Sequence, residues 1–139
     1  MLFRSPRTFE LGLALSASLR VLGRTDEIID ILSAVAESAR SPSDKARLHH
    51  LRGNIHFVRG ESEMNLAEQH LALDHARAAE DVEQEVHALS GVADAEYMRG
   101  HMVSAFEHYD ACITLATRHG FLDVAAGNIA AREIGRAHV

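Results

Sequence analysis

Among side chains able to do chemistry, the sequence offers ten histidines, one cysteine and twenty carboxylates against fourteen Lys and Arg. The histidines stand at 49, 50, 56, 70, 75, 87, 101, 108, 119 and 138. Two helical ligands on one metal ion need a spacing of three or four residues on one face, and no histidine pair has it. His101 and His108 share a face but lie two turns apart, about 10.5 Å by helical rise. Mixed pairs such as Glu83/His87 and His70/Asp74 have the spacing, yet one such pair is ordinary on a solvated helix. Surface histidines and no metal site are expected. Cys112 falls among Ala105, Tyr109 and Ala116 at helical spacing, which predicts a buried, unreactive thiol. No GxxxxGK[ST] phosphate loop is present, and GNIHFVRG lies in a helix and its turn, where backbone N–H groups are already used. No catalytic residue and no cofactor are assigned.

The elements that must position these groups are read best from Ala88 to Ala116. Val82, Val86, Leu89, Val92 and Ala93 recur every three or four residues, as do Ala105, Tyr109, Cys112 and Ala116, with Phe106 and Ile113 widening the second stripe. That spacing puts each set on one face of a helix. Gly100, in the turn Arg99–Gly100–His101, is placed to end the first helix in the left-handed conformation. Residues 1–7 read as a ragged lead-in. A first helix is predicted from Thr8 to Leu22, with Leu11, Leu15 and Leu22 as its stripe. A second runs from about Asp26 to Ala39, with Ile28, Leu32, Val35 and Ala39 inward. Ser43 or Asp44 is expected to cap a third, carrying Leu48, Leu51, Ile55 and Val58 and ending at Gly60. A fourth, from about Glu63 to Glu80, carries Leu66, Leu73 and Ala76. A seventh begins near Phe121 with Leu122, Ala125 and Ile129.

Gly23, Gly60 and Gly100 are 37 and 40 residues apart, and each interval holds one helix pair. Helix pairs repeating at roughly 34–47 residues characterise helical solenoids, because one pair cannot bury its apolar stripe alone. The predicted fold is all-α, an antiparallel helix-pair solenoid of about seven helices.

Composition narrows the function classes. With 47% apolar and 24% charged residues, the 139-residue chain has the balance of one ordinary globular domain. A net charge of −6 argues against a nucleic-acid surface and an anionic membrane face. A lone cysteine fits a reducing compartment, and no apolar run is long enough to span a bilayer. Arg4, Arg7 and Glu10 interrupt what would otherwise resemble a signal peptide. A cytoplasmic protein is expected.

LRGNIHFVRGE (51–61) resembles the first helix of a tetratricopeptide (TPR) repeat, and RGHMVSAFEHYDACITLA (99–116) resembles the second. Ala105 and Tyr109 take the small and aromatic positions, and Cys112 stands where Ala is usual. Leu51 and Gly53 are not adjacent as the TPR pattern wants, and Glu96 stands near an aromatic position. ALSGVADAEYMRGHM and CITLATRHGF are similar to the MalT-like subtype, found in bacterial adenylate/guanylate cyclase-like ATPases and in LuxR-type regulators. The resemblance covers about Glu10 to Arg132 and implies a concave groove lined by the first helix of each pair. It places Arg47, His50, Asn54, His87, Ser90 and Asp94 in that groove, with Tyr97 as an apolar anchor beside them. Asp94 is expected to be solvated. The implied role is a non-catalytic interaction segment of a larger bacterial signalling or regulatory protein, holding a protein, a peptide or other domains of the parent chain. The alternatives are the C-terminal part of a nucleotide cyclase or ATPase whose active site lies outside this chain, and a free-standing adaptor. EIGRAHV (133–139) matches the translation of a common sequencing adapter, GAG ATC GGA AGA GCA CAC GTC. The repeat domain is therefore expected over residues 1–132, as a fragment of a longer array, with 133–139 a non-native tail.

Overall fold

The computed structural model describes residues 5–138. Residues 1–4 of the expected lead-in and Val139 of the expected tail lie outside them. The described residues form seven helices and no strand: α1 Pro6–Val21, α2 Thr25–Val35, α3 Pro42–Val58, α4 Ser62–Ala78, α5 Val82–Met98, α6 Met102–His119 and α7 Leu122–Ala137. A 3-10 turn, Ala36–Ser38, extends α2. No described helix is long and apolar enough to cross a membrane.

Five of the six connections use one turn. After α5, Gly100 takes φ +78°, its N–H donates to the Tyr97 carbonyl, and the His101 N–H reaches back to the Glu96 carbonyl at 2.9 Å. This paired closure satisfies carbonyls that the helix end leaves without partners. The same six-residue bond closes the ends of α1 (Arg24 to Leu19), α3 (Glu61 to His56), α4 (Asp81 to Ala76) and α6 (Phe121 to Ala116). Glycine occupies the left-handed position every time except after α4, where Glu80 holds φ 52°. The α2–α3 connection differs. Ser41 rather than Ser43 or Asp44 caps α3, accepting from the Asp44 N–H at 3.0 Å, because Pro42 already opens the helix.

Each helix packs on its neighbour in sequence, and α3 also lies against α5 and α5 against α7. Contact between α1 and α3 includes Arg47, whose guanidinium bonds Glu10 at 2.6 and 3.1 Å and sits 5.5 Å from the Phe9 ring centroid. Buried positions keep step with the turns. At one position of successive pairs stand Leu32, Gln69 and Tyr109, at another Ile28, Asn65 and Ala105, and at a third Val35, Ala72 and Cys112. Ser16, Gly53 and Ala93, all buried and small, mark the first helices in the same way. One apolar cluster joins α1, α2 and α3, and a second joins α4 to α7.

The stripes of α2, α5 and α6 are buried as predicted, apart from Val82, Phe106 and Ile113 at partial burial. Three other stripes are corrected. On α1 the inward residues are Phe9, Gly12, Ser16 and Leu19, while Leu11, Leu15 and Leu22 are exposed. Both faces of α1 carry apolar residues at helical spacing, so periodicity alone does not choose between them; the Gly12–Val35 approach does. On α3, Val58 is exposed at the last position of the helix, while Ile55 and His56 in the same turn stay buried. On α7, Leu122 and Ile129 are exposed, and Ala125, Asn128 and Gly135 face inward instead. Gly135 fits beneath Tyr97 and Phe106, so the inward face of α7 continues into EIGRAHV.

Candidate functional site

The centre of the molecule is polar. Gln69 of α4 is fully buried, and it lies between two helices that approach it only because they carry glycine. A Cβ on Gly53 of α3 would fall 2.4 Å from the Gln69 amide, and one on Gly91 of α5 would fall 2.2 Å from it. The amide is held in a closed ring. His50 Nδ1 donates to Gln69 Oε1 at 2.9 Å, and Gln69 Nε2 donates to Asn54 Oδ1 at 3.1 Å. Asn54 Nδ2 then donates to His50 Nε2 at 3.2 Å. Since Nε2 must accept, the ring closes only with a neutral His50. Burial pushes the His50 pKa down to about 4, the Gln69 bond opposes this, and the nearby His87 adds to it.

Other histidines are paired as well. His56 is buried and bonds Glu61 at 2.7 Å. His49 bonds Glu68 at 2.6 Å and stacks on His75 with centroids 5.4 Å apart, while His50 lies 5.5 Å from His87. The expectation of surface histidines is thus corrected for this group. Helix packing brings together residues of α3, α4 and α5 that sequence spacing keeps apart. No cluster of three or more His, Cys, Asp or Glu side chains able to hold a metal occurs among the described residues. Cys112 is buried as predicted, its thiol bonds the Val86 carbonyl at 3.3 Å, and burial pushes its pKa up to about 12.

Beside the polar ring a cleft of about 230 Å³ is lined by Arg20 of α1, Asn54, Phe57 and Val58 of α3, Asn65 and Gln69 of α4, and Gly91 and Asp94 of α5. Arg20 and Asn54 also line an adjoining, mainly apolar pocket of about 110 Å³ with Leu13, Ile28, Leu51 and Ile55. Asp94 accepts from the Tyr109 hydroxyl at 2.6 Å. Burial raises its pKa, and that bond works the other way. It is not the solvated carboxylate expected. Asn65 is 1% exposed, and neither its Oδ1 nor its Nδ2 has a hydrogen-bond partner.

The seven sequence-predicted groove residues have separate placements. Asn54 and Asp94 meet in this cleft, and His50 stands behind Asn54 and against His87. Arg47 is engaged by Glu10 and Asp44. Ser90 accepts from Asn128 of α7 at 3.0 Å, and Tyr97 packs over Gly135. Sequence reasoning missed Asn65, Gln69 and Arg20. A signal was available for the first two, since counting from the turn glycines aligns them with Ala105 and Tyr109, positions already assigned inward.

No protein-family model, no curated protein and no solved structure matches the chain.

Proposed function

We propose that the chain is a TPR-like helix-pair solenoid segment without catalytic machinery of its own, whose first helices hold an extended peptide segment of a partner protein or of another domain. Three features support the stacked arrangement. The same turn closes five helices, buried positions recur in step with it, and helices pack on their sequence neighbours or next-but-one. The observation that carries the binding role is the cleft, because α1, α3 and α5, the first helices of successive pairs, contribute side chains to one opening. Its wall is mixed. Arg20 supplies a cation, Asp94 a carboxylate, Asn54 an amide, and Phe57 and Val58 apolar surface. Such a set orients a peptide with a few polar contacts over an apolar floor. The larger protein is proposed to be a bacterial signalling or regulatory protein, on the MalT-like resemblance.

Peptides selected from a random display library on the immobilised chain test this reading. Binding should weaken at least tenfold in Arg20→Glu and in Phe57→Ser, two exposed positions, with the helical circular dichroism spectrum unchanged. Peptides that ignore both substitutions, or no enriched peptide at all, would refute it.

A further inference from the structure

Asn65 is placed at a cost that the fold does not require. The equivalent residues of the neighbouring pairs are Ile28 and Ala105, both buried and both apolar. The helix pair is therefore built equally well without a polar atom there. Yet Asn65, in the wall of this cleft, carries a donor nitrogen and an acceptor oxygen, both desolvated and both unpaired. A buried polar group without a partner is rare in folded proteins and calls for a reason.

The chemistry of that pair narrows its ligand to groups that both donate and accept. An ammonium group offers donors only and would leave Asn65 Nδ2 unpaired. A carboxylate offers acceptors only, would leave Oδ1 unpaired, and would stand in the same cleft as the buried Asp94 carboxylate. An apolar side chain satisfies neither atom. A primary carboxamide carries an acceptor and a donor along one planar edge and satisfies both. A peptide main chain carries the same two groups, flanked by side chains. The Asn65 atoms expose less than 1 Å² each, so neither is open in this structure, and the narrow tip of a side chain needs less room made for it than a main chain with its flanking residues. Entry takes rotamer changes among the lining residues, which commonly accompany association.

On the reading that the groove holds an extended peptide, we infer that this cleft is a subsite for the side chain of glutamine or asparagine, whose carboxamide pairs edge to edge with Asn65. The neighbouring apolar pocket lined by Leu13, Ile28, Leu51 and Ile55 then takes an adjacent apolar residue of the same peptide. Arg20, common to both openings and paired with no described acidic residue, stands where a main-chain carbonyl passes between them.

Titration of the isotope-labelled chain with N-acetyl-glutamine-N-methylamide, followed by NMR, tests the subsite. Saturable shifts of the Asn65 side-chain NH2 signals are expected, with at least a tenfold weaker response to the glutamate and methionine analogues. Asn65→Ala should abolish the difference between the three probes while circular dichroism shows an unchanged helical spectrum. Equal responses to all three, or none from the glutamine probe, would overturn the inference. Free L-glutamine is the second arm, and tighter binding of the free amino acid than of the capped one would overturn the peptide as its source. Peptides from the display selection that need Arg20 and Phe57 but show no glutamine or asparagine preference would remove this subsite and leave the groove reading standing.

Discussion

At the scale of single residues, the polar centre makes stability depend on protonation. His50 folds neutral because both ring nitrogens are committed, with its pKa near 4 against 6.5 in the unfolded chain. Above pH 6.5 it is neutral in both states and contributes no pH dependence. As pH falls below 6.5, only the unfolded state takes up the proton, so stability declines until about pH 4. Each pH unit in that window costs about 1.4 kcal/mol, or about 2 kcal/mol by pH 5. The groups facing His50 are Gln69 and Asn54, which are uncharged, and His87, which lowers the His50 pKa further. Asp94, raised by burial, opposes the trend. Urea midpoints from pH 7 to 4.5 should therefore fall, and the His50 Cε1–H signal should titrate well below pH 6. A His50 signal moving near 6.5 would show that the hydrogen-bonded ring is open. Two substitutions examine the same centre. Asn65→Ala removes an unpaired buried amide and should raise stability by about 1 kcal/mol, as desolvation relief outweighs the small cavity. Gly91→Ala places a methyl group on the Gln69 amide, which Gly53 blocks from the other side. It should cost about 1–3 kcal/mol, with partial recovery in the Gly91→Ala/Gln69→Ala double variant, as a denaturation cycle would measure.

At the scale of elements, the sequence is most legible where one residue type has one job. Gly23, Gly60 and Gly100 announce their turns, and the paired stripes of α5 and α6 announce a buried face. Legibility fails where two faces of one helix carry apolar residues. Leu11, Leu15 and Leu22 have helical spacing and large side chains, yet the close approach of Gly12 to Val35 turns α1 the other way. It fails again on α4, where Asn65 and Gln69 occupy inward positions that a hydrophobic pattern does not assign to polar residues. The cleft is half visible in the sequence, which points to Asn54 and Asp94 but not to Arg20 on α1 or to Asn65 and Gln69 on α4. Glu80 hides a fifth copy of the turn because it lacks the glycine that marks the others. Its φ of 52° costs a residue with a Cβ roughly 1–2 kcal/mol. Glycine at that position removes this strain, while the freer unfolded chain takes back about 0.4–1 kcal/mol. Glu80→Gly should therefore stabilise the protein by about 0.5–1 kcal/mol, read as a higher urea midpoint with an unchanged slope. A lower midpoint would mean that the Glu80 side chain has an unrecognised structural role.

At the scale of the whole molecule, the proposed stack makes a claim about cooperativity that a closed globule does not. The first apolar cluster ends on α3 at Leu48 and Ile55, and the second begins on α4 at Ala72 and Leu73. Among the described residues, α1 and α2 are coupled to the rest through one side of α3, the Arg47–Glu10 and Arg59–Asp26 pairs and the bond from Arg52 to the Ser33 hydroxyl. Ion pairs as exposed as these add little to stability. In a one-dimensional stack each pair has its own stability plus a nearest-neighbour interface. Leu32 is completely buried in the α1–α2 cluster, and Leu32→Ala should cost that pair about 2–5 kcal/mol. Native-state hydrogen exchange should then show amides of α1 and α2 losing protection while those of α5 and α6 keep most of theirs, because the first pair opens as a unit of its own. In a molecule folding around one indivisible core, the same substitution would lower protection in all seven helices by equal free energies, and that result would end the solenoid reading.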